Sequence, residues 1–316
     1  MAGETETETP YTRDRSESSG RLRGWLNDRS ESIVLGYPLA MLALFFAVPL
    51  FLLIATSFYP KPSGEYYQIG FTLEHYRRLF TVPLYFRRLG FTVALSMATA
   101  FGCLAIGYPV AYTLARMDSR LRRRVYITTI VSTMWLTYII RSYAWTVILS
   151  KNGVLNEFLL TIGAIDTALS LTPGIWALAI GMTYVFLPFA ILTLYSSINN
   201  IDPELEEASK NLGADRFQTF RNVTVPLSKN GIYSAWMLVF ILALGAYIVP
   251  RLLGKPAQWT LPVIIGNQSL NNLNVPFGAA LSIAMMVVVI VILVAGYELL
   301  GLGSEEMAGA GGGTDG

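Results

Sequence analysis

Six stretches of apolar residues, each about as long as a bilayer core is thick, constrain this chain more than any other feature. They run from about Ile33 to Tyr59, Gly90 to Ala115, Val125 to Leu149, Gly174 to Ser196, Ile232 to Leu253 and Phe277 to Leu300. A helix needs roughly 20 apolar residues to cross ~30 Å of hydrocarbon. Composition agrees: 53% of the residues are hydrophobic and 14% are charged, whereas a soluble domain is about a quarter charged. The expected fold class is an all-α membrane protein with about six transmembrane helices. Its membrane domain covers 33–301, and two tails flank it: a disordered one at 1–32 and a flexible one at 302–316. The third and fourth stretches are the least clean. The third contains Arg141, and the fourth contains Tyr184 and Pro188; Pro is tolerated in a span where neighbouring helices protect the freed backbone.

Residue scarcity excludes several chemistries. Cys103 is the only cysteine and His75 the only histidine. An intramolecular disulfide, a cysteine metal cluster, a zinc site or a histidine-based triad has almost nothing to be built from. The polar opening from Met1 to Pro10 does not read as a signal peptide, because the first apolar stretch starts late and is too long.

The Lys/Arg bias sets the expected orientation. Arg13, Arg15, Arg21, Arg23 and Arg29 precede the first span. Arg116, Arg120, Arg122, Arg123 and Arg124 sit between the second and third, and Lys210, Arg216, Arg221 and Lys229 between the fourth and fifth. These face the cytoplasm, with both termini. Arg77, Arg78, Arg87 and Arg88 disagree, since they fall in the first outside loop. Leu73, Tyr76 and Phe80 recur there at helical spacing. The stretch Thr72–Phe80 therefore reads as a short helix, either lying on the membrane surface or packed as a loop helix.

The connection 199–231 carries the most local information. Asp202 suits an N-cap, Pro203 the first helical position, and Glu204 the positive end of the helix dipole. Leu205, Ala208 and Leu212 share a face. Gly213 suits a left-handed helix end, Asp215 can cap a second short helix bearing Phe217 and Phe220, and Val225-Pro226 is expected to stop it. Two short helices joined at a glycine corner would protrude from the membrane and could insert into a groove on a partner.

Glu207-Ala208-Ser209, then Gly213-Ala214, Phe217, Phe220, Val223, Pro226-Leu227 and Gly231-Ile232, resemble the EAA loop of binding-protein-dependent ABC permeases. Ser209 in the third motif position and Lys229-Asn230 before the final glycine are departures. The resemblance implies a type I ABC importer permease fold in which this loop is the coupling helix. Glu207 would pair with a cation on an ATP-binding subunit, and Gly213 would make the corner. Ala208, Ser209, Ala214, Phe217 and Pro226 belong to the same coupling site. It also implies a second permease subunit, an extracytoplasmic substrate-binding protein, and location in the plasma or inner membrane, in contact with the lipid bilayer. Nucleic acid is not an expected partner.

No Walker A pattern occurs in the sequence: Gly254-Lys255 is followed by Pro256, and the P-loop needs Ser or Thr there. The chain is therefore expected to be a transporter subunit and no enzyme, with no cofactor of its own. ATP and magnesium would be bound by the partner ATPase.

Arg141-Ser142-Tyr143-Ala144-Trp145, Leu187-Pro188-Phe189, Ile201-Asp202-Pro203, Val249-Pro250-Arg251 and Pro276-Phe277-Gly278 resemble one branch, the spermidine/putrescine importer permeases. Permeases for ferric iron, thiamine and other small solutes share parts of this pattern, so the solute stays open. Ammonium groups favour aromatic faces or carboxylates. Tyr143, Trp145, Tyr184 and Tyr247 are the candidate translocation path, set against ordinary packing. Arg141 would repel a cation and is expected to be structural. The amide-rich stretch from Lys255 to Asn274 reads either as a contact for a binding protein or as a polar loop. A secondary transporter is the alternative from another class, but no internal repeat or mid-membrane acid supports it.

Overall fold

The computed structural model describes residues 38, 40–62 and 67–299. Both expected tails lie outside the described residues. The described residues divide into two compact units between Thr56 and Ser57. The described part of the first is a helix, α1 (Ala40–Ser57), whose Leu42, Phe45, Phe46 and Phe51 are exposed.

The second unit is helical throughout its regular structure, with no strand among the described residues. It contains α2 (Glu74–Thr81), α3 (Pro83–Ala115), α4 (Arg120–Met134), α5 (Tyr138–Ile148), α6 (Val154–Thr161) and α7 (Ile175–Asn199). These are followed by α8 (Pro203–Asn211), α9 (Arg216–Thr219), α10 (Val225–Leu227), α11 (Lys229–Leu244), α12 (Ile248–Leu253), α13 (Leu261–Gly266) and α14 (Val275–Leu299). Wide π-helical turns occupy Phe220–Thr224 and Asn267–Asn271.

Among the described residues, α1, α3, α7 and α14 are each long and apolar enough to cross a membrane alone. The other two expected spans are divided. The stretch 125–149 breaks at Trp135–Thr137, between α4 and α5. The stretch 232–253 breaks at Gly245–Tyr247, and α11 is bent by 68° against the segment before it. Backbone breaks of this kind survive at membrane depth only where protein or a water-filled cavity covers the freed groups. Beyond the second break, α12 packs on α5 and α7, and the Gly174 N–H donates to the Leu253 carbonyl at 2.8 Å; the first break, Trp135–Thr137, is exposed.

The core is a three-helix contact of α3, α7 and α11. Ala100 and Cys103 of α3, Ala177, Met182, Val185 and Ala190 of α7, and Val239, Phe240 and Ala243 of α11 are buried together. Lipid tails are as apolar as leucine, so burial from water does not drive this association; close van der Waals packing does, and small residues permit it. Gly231 of α11 shows how close the approach is, for a β-carbon there would lie 2.1 Å from the Ser197 side chain of α7. A separate cluster of Leu79, Tyr85, Leu261, Phe277 and Leu281 joins α2, α13 and α14 to the start of α3.

The short helix expected near Thr72–Phe80 is α2. Its buried residues are His75 and Leu79, and His75 lies 5.9 Å from the Phe277 ring. Leu73 and Phe80 are exposed. The Lys255–Asn274 stretch is largely helical rather than an open loop, and its amides pair among themselves. Asn271 donates to Asn267 at 2.6 Å and Asn272 to Gln268 at 3.2 Å.

Candidate functional site

The segment 199–231 folds as its residues dictate. Asp202 caps α8 by accepting from the Glu204 N–H at 2.9 Å, with Pro203 in the first turn. Gly213 adopts φ +92°, a left-handed conformation that costs any residue with a β-carbon. The Gly213 N–H donates to the Lys210 carbonyl and the Ala214 N–H to that of Ser209, the paired bonds of a Schellman end. Asp215 and Gln218 form a reciprocal capping box at α9. Ser209 and Thr219 hydroxyls, 3.3 Å apart, tie α8 to α9 across the corner.

Helical geometry does not stop at Val225-Pro226. It widens into the Phe220–Thr224 π turn, where the Val225 N–H reaches back to the Phe220 carbonyl, and continues through α10 before bending at Ser228. Proline lacks the N–H that a regular turn needs, and the wider turn before it absorbs the mismatch.

The segment presents an exposed apolar face. Leu212 is 90% exposed and Phe217 69%. Glu207 and Ala208 are also exposed, as is Pro226; Ser209 and Ala214 are half-buried. The seven residues expected to form the coupling site therefore lie on one short stretch, with Glu207 in solvent.

The neighbouring Glu206 does the opposite. It is 3% exposed. Arg116, which follows α3, donates to Glu206 Oε1 from Nη2 at 2.8 Å and from Nε at 3.0 Å. Thr224 donates to the same oxygen at 2.9 Å, and Tyr112 to Oε2 at 3.3 Å. Arg116 also donates to the Ile201 carbonyl at 3.3 Å. Burial raises the pKa of the Glu206 carboxyl, but the bonds from Arg116 and Thr224, with the Arg116 charge, outweigh that and hold it below its ordinary value. Tyr108 and Ser228 share a 2.7 Å hydrogen bond, and both Tyr108 and Tyr112 meet the Phe220 ring edge-on. Positions 108, 112 and 116 of one strip thus face 220, 224 and 228 of the other.

The four path candidates separate. Trp145 and Tyr184 form an edge-to-face pair at 5.3 Å and line a cavity of about 180 Å³ with Arg141. Tyr247 lines another cavity, of about 320 Å³, with Tyr138 and Phe186. Tyr143 is 63% exposed and lines neither. Arg141 is 5% exposed, with its guanidinium 5.1 Å from the centre of the Tyr138 ring. Among the described residues no cluster of three metal-ligating side chains occurs.

Several helices long enough to cross a membrane define the class: an integral membrane protein. The chain belongs to the family described as binding-protein-dependent transport system inner membrane component, whose model matches residues 103–301. It is 36% identical over 260 residues to the spermidine/putrescine transport system permease protein PotB of Salmonella typhimurium (strain SL1344), covering 82% of this chain and 89% of that one. With PotB of Escherichia coli (strain K12) it shares 38% identity over 249 residues, 78% of this chain and 89% of that one. Among solved structures, a bacterial ABC transporter involved in the import of the acidic polysaccharide alginate matches with TM-score 0.68 at 19% identity, over 88% of this chain and 98% of that one. At that identity the likeness concerns the fold.

Proposed function

We propose that this chain is the permease subunit of an ATP-driven importer of polyamines such as spermidine and putrescine. In this reading the segment 199–231 faces the cytoplasm, as do both termini, and docks on a separate ATP-binding subunit. That subunit holds ATP and magnesium, and this chain performs no covalent chemistry. The observation that carries the coupling role is that Leu212, Phe217 and Glu207, all within eleven positions, are exposed, which offers a partner both apolar anchors and a carboxylate. The names of the relatives above support the solute class.

A second permease subunit completes the pathway. Its place is supported by α4, which touches α3 and α7 but has no buried residue and so leaves much of its surface to a neighbour or lipid. An extracytoplasmic binding protein delivers the solute. Tyr247, whose cavity is not lined by Arg141, offers an aromatic face to a passing ammonium group, worth about 0.5–2 kcal/mol, whereas Trp145 and Tyr184 share their cavity with Arg141. Arg141 stays against Tyr138 and takes no part in binding a cation.

The test is ATP hydrolysis by the complex reconstituted in lipid vesicles with its binding protein. Spermidine, putrescine, thiamine and ferric ion are compared with no solute. Stimulation by the polyamines alone is the expected result. Stimulation by another solute removes the polyamine assignment, and failure of any ATPase to copurify removes the importer reading.

A further inference from the structure

The structure points to α3 as a rigid strut between the docking segment and the opposite end of the bundle. We propose that Glu206 and Arg116 are the positioning residues that fasten it, so that segment 199–231 and α3 move as one body. This rests on the importer reading above.

Each end of the strut is held by specific bonds. At the first, the Glu206 carboxylate is buried between Arg116, Tyr112 and Thr224. Residues four apart on a helix lie one above the other on the same face. Tyr108, Tyr112 and Arg116 therefore form a strip about 12 Å long, which grips Phe220, Thr224 and Ser228. A contact of that length resists tilting, where a single ion pair would act as a swivel. Pro109 lacks the N–H that would bond the Ala105 carbonyl and so interrupts the α3 backbone ladder inside this strip. The lateral clamp thus covers the point where α3 would otherwise bend.

At the other end, the buried Thr92 hydroxyl accepts from the Leu261 N–H at 2.8 Å, fastening α3 to α13. Tyr85 meets the Phe277 ring of α14 edge-on at 5.1 Å. Thr92 and Arg116 are 24 positions apart, about 36 Å along a helix. A shift imposed on α8 by an ATPase would then reach α13 and α14 through one continuous helix. A buried charge pair is a poor way to add stability, since removing both charges from water offsets most of the attraction. It is an effective way to fix one geometry, because any other leaves Glu206 unpaired.

The experiment measures spermidine taken up per ATP hydrolysed by the whole complex in vesicles with its binding protein. Glu206→Gln and Arg116→Gln should keep the ATPase subunit bound and at least half of the hydrolysis, while uptake per ATP falls at least tenfold. The reciprocal variant Arg116→Glu/Glu206→Arg should recover to within about threefold of the parent. Thr224→Val, which removes one bond from Glu206 and keeps the shape, should lower the ratio two- to fourfold. Singles with the parent ratio would overturn the strut. So would singles that lose the ATPase subunit without recovery in the reciprocal variant and with Thr224→Val unchanged, for the pair would then only hold the fold. The parent complex is the control for the underlying reading. If it is driven by another solute, the same ratio is read with that solute; if it carries no ATPase, both readings fall.

Discussion

A methyl group added at Gly231 should force α11 away from α7 where the segment 199–231 meets the bundle. The β-carbon of Gly231→Ala would lie 2.1 Å from both Cβ and Oγ of Ser197, whereas carbon atoms rest at about 3.5–4.0 Å. The Ser197 hydroxyl can rotate away, but its β-carbon is fixed to the α7 backbone. The helices must therefore part by about 1.5 Å, or the local backbone must deform. Overpacking of this kind costs about 1–3 kcal/mol; the upper half applies, because Gly231 is buried. For a chain of this size that lowers Tm by roughly 3–5 °C. Ser197→Gly removes both offending atoms and leaves the α-carbon 3.7 Å from the new methyl, an ordinary contact. Alone, Ser197→Gly should cost about 0.5–1 kcal/mol through helix propensity. The double variant should be more stable than Gly231→Ala, with a coupling energy above about 1 kcal/mol. Thermal unfolding in detergent, followed by tryptophan fluorescence, checks this. A double variant no more stable than Gly231→Ala alone would refute the reasoning, since relief would not have followed from removing the only close atoms.

Three other outcomes are expected. Glu207→Arg should weaken retention of the ATPase subunit at least tenfold while membrane insertion is unchanged, measured by copurification; equal retention refutes the role of Glu207. Cys103 is the sole cysteine and is fully buried, so a maleimide should label the native protein less than a tenth as fast as the protein in denaturant. Because the Glu206 carboxyl is held below its ordinary value, its stabilising contribution should be complete above the unfolded carboxyl's pKa of about 4.3 and disappear as pH falls through the lower folded value. Fluorescence-detected stability should therefore show no loss from this group between pH 7 and 5, with the loss confined to more acid solution. A loss centred above pH 5 in the parent but missing in Glu206→Gln would contradict the pairing.

Local grammar was legible wherever a residue acts on its own neighbours. Asp202, Pro203, Gly213 and Asp215 each do in the structure what their side chains and backbone preferences require. The Pro226 reading did not carry over, because a π turn lets the helix run on through that position. Glu206 was harder to see. Beside Glu204 and Glu207 it reads as one more acid on a solvated helix, and Arg116 reads as one of several arginines at a span end. Their pairing spans 90 positions, and nothing local announces it. The repeat of Tyr108, Tyr112 and Arg116 at intervals of four was the available signal, a polar strip ending an otherwise apolar helix.

The sequence by itself determined that the chain is helical and membrane-embedded. A run of about 20 apolar residues has few ways to satisfy its backbone in lipid, and the EAA-like spacing singles out the segment 199–231. Tertiary structure decided where helices break, since the stretches 125–149 and 232–253 both read as spans by length but divide at 135–137 and 245–247. It also decided which of two adjacent glutamates is buried. One residue along a helix is a turn of about 100°, and only the bonds from Arg116, Tyr112 and Thr224 hold Glu206 on the inner side and leave Glu207 outside.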